Sequence, residues 1–75
     1  MVLWSDDTLN DERVDRELCQ ALGIRSLALA PLLSATDTVG ILGVFSLRPH
    51  AFGEKDVGHL KVVAVIAAST YHDKE

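Results

Sequence analysis

Apolar residues change their spacing several times along the chain, and each change marks an element. Residues 2–4 (Val-Leu-Trp) are apolar and residues 5–8 are polar, which reads as the end of a strand followed by a turn. Such an abrupt apolar start suggests a strand whose beginning is missing, with Met1 an added start. Val14, Leu18, Ala21 and Leu22 then recur at i, i+4, i+7 and i+8, one stripe of a short amphipathic helix. Asn10 or Asp11 is the expected cap, with Asp11 and Glu12 facing the positive end of the helix dipole. Gly23 fits the left-handed residue that closes such a helix, and Ile24 the hydrophobic contact after it.

The centre of the chain is residues 26–48. Residues 26–33 and 39–47 have strand length, and the polar link 34–38 suits a hairpin loop. β-Branched and aromatic residues in the second run, with Gly40 and Gly43, favour strand over buried helix. Alternation places Leu27, Leu29, Pro31, Ile41, Gly43 and Phe45 on one face, and Ala28, Ala30, Leu32, Leu42, Val44 and Ser46 on the other. Neither face is polar, so both are expected to be covered. Pro31 cannot donate to a ladder and belongs at a sheet edge or a bulge.

After Pro49 the pattern breaks, and Phe52-Gly53-Glu54 opens a second helix expected to run to about Tyr71. Val57, Leu60, Ala64, Ala67, Ala68 and Tyr71 form a wide stripe assigned to the Ala28/Ala30/Leu42/Val44 face. Val62, Val65 and Ile66 lie on the opposite side, and Lys61 is the only fixed charge between Val57 and Thr70. A helix apolar on nearly every side is buried on nearly every side. These three residues are therefore the expected interface with another copy.

The expected fold class is α+β, an antiparallel hairpin or sheet with helices on both faces. With 75 residues the chain has room for one domain, residues 1–75, and a thin core. Hydrophobic residues make up 48%, high for this size, which points to surfaces that need a partner. A net charge of −4 gives no electrostatic footprint for nucleic acid or anionic lipid. One cysteine cannot form an internal disulfide, so a reducing cytoplasmic setting is the default. No run is long enough for a signal peptide's apolar core or a membrane span.

The succession Leu22-Gly23-Ile24-Arg25-Ser26, Ala30-Pro31-Leu32, Val39-Gly40-Ile41-Leu42, Phe45-Ser46 and Phe52 through Asp56-Val57 resembles the C-terminal half of a GAF domain. The match extends from about Asp11 to Tyr71. The resemblance implies a central antiparallel sheet with helices on both sides and a small-molecule pocket beneath the shorter ones, in a domain about twice this long. The first helices and strands of that pattern have no counterpart here. A homodimer or higher oligomer is therefore expected, in which two copies complete one another.

By the resemblance the pocket face is Leu27, Leu29, Ile41, Gly43 and Phe45, roofed by the helix of Val14 and Leu18, with Trp4 as one wall. The lining lacks convergent polar groups, so a plain packed core is the favoured reading. The bilin-attachment cysteine of phytochrome-like GAF domains falls at Val14, one turn before Cys19, and no histidine follows Cys19. A small helix residue is the better reading. Methionine-sulfoxide reductases of this fold need several cysteines. Members that bind cyclic nucleotides resemble an Asn-Lys followed by Phe-x-x-x-Asp-Glu. Phe52 and Asp56 fit, Val57 replaces the Glu, and no Asn-Lys precedes them, so helix initiation is favoured for the pair. No cofactor is expected.

His50, His59 and His72 lack the i, i+3 or i+4 spacing of metal ligands. Asp6, Asp7, Asp11 and Asp15 read as turn and cap residues, since the bent loop of a calcium site is missing. Arg25, after the closing glycine, reads as structural. No nucleophile elbow or phosphate loop is present. The expected function is a non-catalytic sensory or regulatory module, acting in signal transduction through small-ligand sensing or dimerisation. The competing expectation is an oligomerising scaffold without a ligand.

Overall fold

A computed structural model of the chain describes residues 2–70. Three strands form one antiparallel sheet in the order β1-β2-β3: β1 (Leu3–Ser5), β2 (Ser26–Leu33) and β3 (Thr38–Ser46). A one-turn 3-10 segment (Thr8–Asn10) and the short helix α1 (Arg16–Leu22) lie between β1 and β2, and the long helix α2 (Glu54–Ser69) follows β3. The α+β class and the antiparallel hairpin are as expected. The end of the last helix near Tyr71 lies outside the described residues.

The hairpin register settles the two faces. Ala28 pairs with Val44 and Ala30 with Leu42, while Leu27 pairs with Phe45, Leu29 with Gly43 and Pro31 with Ile41. Pro31 lies beyond the reach of β1, which stops opposite Leu29, and just before a register shift at Leu32/Leu33. Its missing donor therefore falls where the ladder is already incomplete. In the link, the Ser34 hydroxyl accepts from the Asp37 amide at 3.0 Å and donates to the Asp37 carbonyl at 3.1 Å.

α2 covers the alanine face. Val57, Leu60 and Ala64 are buried against Ala28 and Ala30, with Trp4, Leu32, Leu42 and Val44 packed around them. The small strand residues Ala28 and Ala30 let the helix approach closely. Gly53 opens the helix, its amide donating to Asp56 Oδ2 at 2.8 Å, so Asp56 does stage the helix start.

Buried polar groups knot one end of the sheet together. The Thr8 hydroxyl donates to the Ile24 carbonyl at 2.8 Å, and the Thr8 amide to the Arg25 carbonyl at 3.0 Å. The Ser26 hydroxyl donates to the Arg48 carbonyl at 2.6 Å. Thr8 and Ser26 are fully buried, so these bonds replace water that neither side chain can reach. Across the same end the His50 amide donates to the Asp6 carbonyl at 2.7 Å.

Three of the clustered acidic residues, Asp7, Asp11 and Asp15, hold a turn or a helix start. Asp7 caps the 3-10 segment by accepting from the Leu9 amide, and its Oδ2 takes the Asn10 side chain at 2.9 Å. The Asn10 bond leads in holding the Asp7 carboxyl below its ordinary value, with Arg25 assisting. Asp11 accepts from the main chain and guanidinium of Arg13, which hold its carboxyl far below the usual range. Asp15, not Asn10 or Asp11, caps α1 by accepting from the Leu18 amide at 3.1 Å.

Gly23 closes α1 at φ 75°, with its amide on the Gln20 carbonyl and the Ile24 amide on the Cys19 carbonyl. This is the two-bond helix end that the sequence predicts. A Cβ at Gly23 would meet only Leu47 Cδ2 at 3.5 Å, an ordinary contact, so the cost of adding one is backbone strain alone. Gly23→Ala should lower stability by about 1 kcal/mol, while Gly23→Asn should cost less. Urea unfolding followed by circular dichroism checks the difference, and equal midpoints for glycine and alanine would contradict it.

Candidate functional site

The sheet face away from α2 carries five of the residues assigned to a pocket. Register brings Leu27, Leu29, Ile41, Gly43 and Phe45 together there, with Leu3 opposite Leu29. Leu27 is buried, but Ile41 is 68% and Phe45 56% exposed, so the face is open to solvent rather than roofed. Its floor is filled from within. A Cβ on Gly43 would lie 2.6 Å from Leu29 Cδ2 and 3.3 Å from Phe45 Cζ, because both side chains lean over the glycine.

The remaining three pocket assignments are corrected by the structure. Trp4 pairs with Ala28 and therefore lies on the opposite face, packed against the α2 core. Val14 precedes α1, because the Asp15 cap starts that helix at Arg16. Leu18 is inside α1 yet 55% exposed. The seven-residue helix rests mainly on the Thr8–Asn10 segment and buries Cys19, so the side that spacing marks as apolar faces water. The roof over the pocket face is not formed.

Two apolar grooves missed by sequence reasoning flank α2. The larger, about 720 Å³, runs between α2 and the end of β2 with its hairpin loop. Ala30, Leu33 and Ala35 line one side, and Ala64, Val65 and Ala68 the other, with Lys61 at the end nearer the helix start. The smaller, about 330 Å³, lies between α2 and β3, where Leu42, Val44, Phe52 and Val63 form the walls and His59 and Asp56 the polar edge. The signal in the sequence was the run of alanines. Small side chains permit close packing, as at Ala28, but toward the end of α2 they leave space.

The outer side of α2 is as apolar as its spacing implies. Val62, Val65 and Ile66 are 57%, 69% and 58% exposed. Among the described residues no set of three His, Cys, Asp or Glu side chains is placed to hold a metal ion, and no helix is long and apolar enough to cross a membrane. His50 adopts a left-handed backbone at φ 56° in a loop held by its amide on the Asp6 carbonyl, and its exposed Nδ1 lies 3.9 Å from Asp6 Oδ2, beyond hydrogen-bond length. His72 lies outside the described residues.

The arrangement is similar to solved structures of one kind. The GAF domain region of a protein from Geobacter sulfurreducens PCA, described as a membrane protein, is 31% identical with a TM-score of 0.73, over 91% of this chain and 47% of that one. A domain from Sinorhizobium meliloti 1021, described as part of a two-component sensor histidine kinase, is 22% identical with a TM-score of 0.80, over 93% of this chain and 50% of that one. The chain thus spans about half the length of either structure. No curated protein was found to match it. The sequence description of the GAF domain matches residues 2–71, nearly the whole chain, and the protein is a member of the GAF domain family.

Proposed function

We propose that this chain is a non-catalytic sensory or regulatory module of signal transduction, working in the cytoplasm by association with a second copy. The observation that carries the reading is the outer side of α2. Val62, Val65 and Ile66 stand more than half exposed on a helix with one fixed charge after its first turn. Burying one such side chain is worth about 1.5–3 kcal/mol, so a surface that offers three of them favours a partner of like character. A helix that both packs on the sheet and meets its twin links the state of the domain to the geometry of the pair.

The sensory part of the reading is supported by family membership and by the description of the Sinorhizobium structure. The non-catalytic part is supported by the functional groups themselves. The single thiol, Cys19, is buried, and the Ser26 and Ser34 hydroxyls donate to main-chain carbonyls rather than to an imidazole. The second reading, an oligomerising scaffold without a ligand, draws on the sheet face, where Leu29 and Phe45 occupy the space above Gly43.

Sedimentation velocity across a dilution series tests the proposal. The expected result is a species of at least twice the 8.1 kDa chain mass, dissociating on dilution. A single species of chain mass at every concentration would overturn it.

A further inference from the structure

The groove between α2 and the hairpin loop borders the proposed contact at Val65, and its other lining residues lie outside that contact. Its α2 wall runs from Lys61 to Ser69, about 12 Å at the rise of an α-helix. Along that length the strand and helix contribute Ala30, Leu33, Ala64, Val65 and Ala68. The two hydroxyls at the far end are already committed. Ser69 Oγ donates to the Ile66 carbonyl at 2.7 Å, and Ser34 Oγ is bonded on both sides to the Asp37 main chain. Lys61 is the only charged residue in the lining and makes no ion pair or hydrogen bond among the described residues. Lys61 thus lies toward the helix-start end of a slot whose remaining lining is mostly apolar.

We propose that this groove binds a medium-chain carboxylate, with the head group on Lys61 Nζ and the alkyl tail laid between α2 and the end of β2. The volume lies within the range of small-ligand sites, and an apolar lining with one placed polar group is their usual composition. The tail removes apolar surface from water along the alanines, and the carboxylate finds its counter-charge only at the Lys61 end, which fixes orientation. The site lies on the opposite side of the sheet from the Leu27/Phe45 face. Of the three residues of the proposed contact it shares Val65 and excludes Val62 and Ile66, so binding is tested with those two replaced and the lining kept.

The probes are decanoate and decanol below their aggregation concentrations, titrated into wild-type protein and the Val62→Glu/Ile66→Glu variant. That variant leaves the groove lining intact, and it exposes the groove whether or not the wild type associates through the outer side of α2. The expected result is saturable one-site binding of decanoate, with methyl shifts in nuclear magnetic resonance confined to Ala30, Ala35, Ala64 and Ala68. Decanol should bind about tenfold more weakly, and Lys61→Met should weaken decanoate by about tenfold while leaving decanol unchanged. Lys61 is exposed, so this substitution does not threaten folding. Equal affinity for the two probes, indifference to Lys61→Met, shifts centred on Ile41 and Phe45, or no binding would each overturn the assignment.

Discussion

Leu60→Ala is expected to cost about 3 kcal/mol and to lower the midpoint of urea unfolding sharply. The cost is large because the core is thin. The buried cluster consists of Ala28, Ala30, Val57, Leu60 and Ala64, so three of its five members are alanines and Leu60 is the largest side chain among them. Leu60 is 6% exposed and sits where α2 crosses the hairpin, and no other buried leucine shares its task on that face. A chain of this length has about 4–11 kcal/mol of total stability, so the loss is a large share of the whole. The position also borders the smaller groove, which lets water reach part of the vacated space and keeps the cost from the top of the usual range. Val63→Ala, one turn along and 49% exposed, should cost less than about 1 kcal/mol. Urea titrations of the two variants give the comparison. Similar midpoints would mean that α2 is not held to the sheet through Leu60.

What the sequence reveals about this fold, and what it hides, follows from which forces are local. Alternation in residues 27–32 and 41–46 assigns those hairpin side chains to the faces that the register shows, because strand period is local, while the shift at Leu32/Leu33 breaks the alternation at the loop end without a signal in the spacing. The left-handed Gly23 and the Gly53–Asp56 helix start were equally legible, being bonds between residues a few positions apart. Trp4 was misplaced because its side is fixed by pairing with Ala28, a partner 24 positions away that no local pattern announces. The cap of α1 was misplaced for a different reason. Asp7, Asp11 and Asp15 are all competent caps, and only the folded chain shows that Asp7 takes the 3-10 segment and Asp11 is held by Arg13. With Asp15 left to start the helix, Val14 drops out of it and the apolar stripe loses its first member. The stripe of Leu18 and Leu22 shows which side of α1 is apolar; it carries no information about whether anything covers that side. Both leucines remain more than half exposed. The grooves were hidden because alanine reads alike whether a helix closes on it or stands away from it.

Val62→Glu/Ile66→Glu should raise the dissociation constant of the proposed pair by at least about a hundredfold while leaving each chain folded. The two residues are one turn apart on the outer side of α2, so both would meet the same partner surface. Losing two buried aliphatic side chains forfeits about 3 kcal/mol or more, and about 1.4 kcal/mol is tenfold in affinity. Two carboxylates facing their own copies across a two-fold axis add repulsion and desolvation. Folding should be spared, because both side chains already stand in water and glutamate is at least as good a helix former as valine or isoleucine. The informative readings are therefore mass by sedimentation and melting by circular dichroism on the same sample. Phe45→Lys is the paired comparison, since Phe45 is 56% exposed on the other apolar face. If the double variant keeps the mass of the wild type and Phe45→Lys halves it, the copies meet sheet to sheet and α2 is not the contact. If the double variant alone falls to chain mass with its melting curve unchanged, the apolar outer side of α2 is what joins the copies, and the Leu27/Phe45 face is left for some other use.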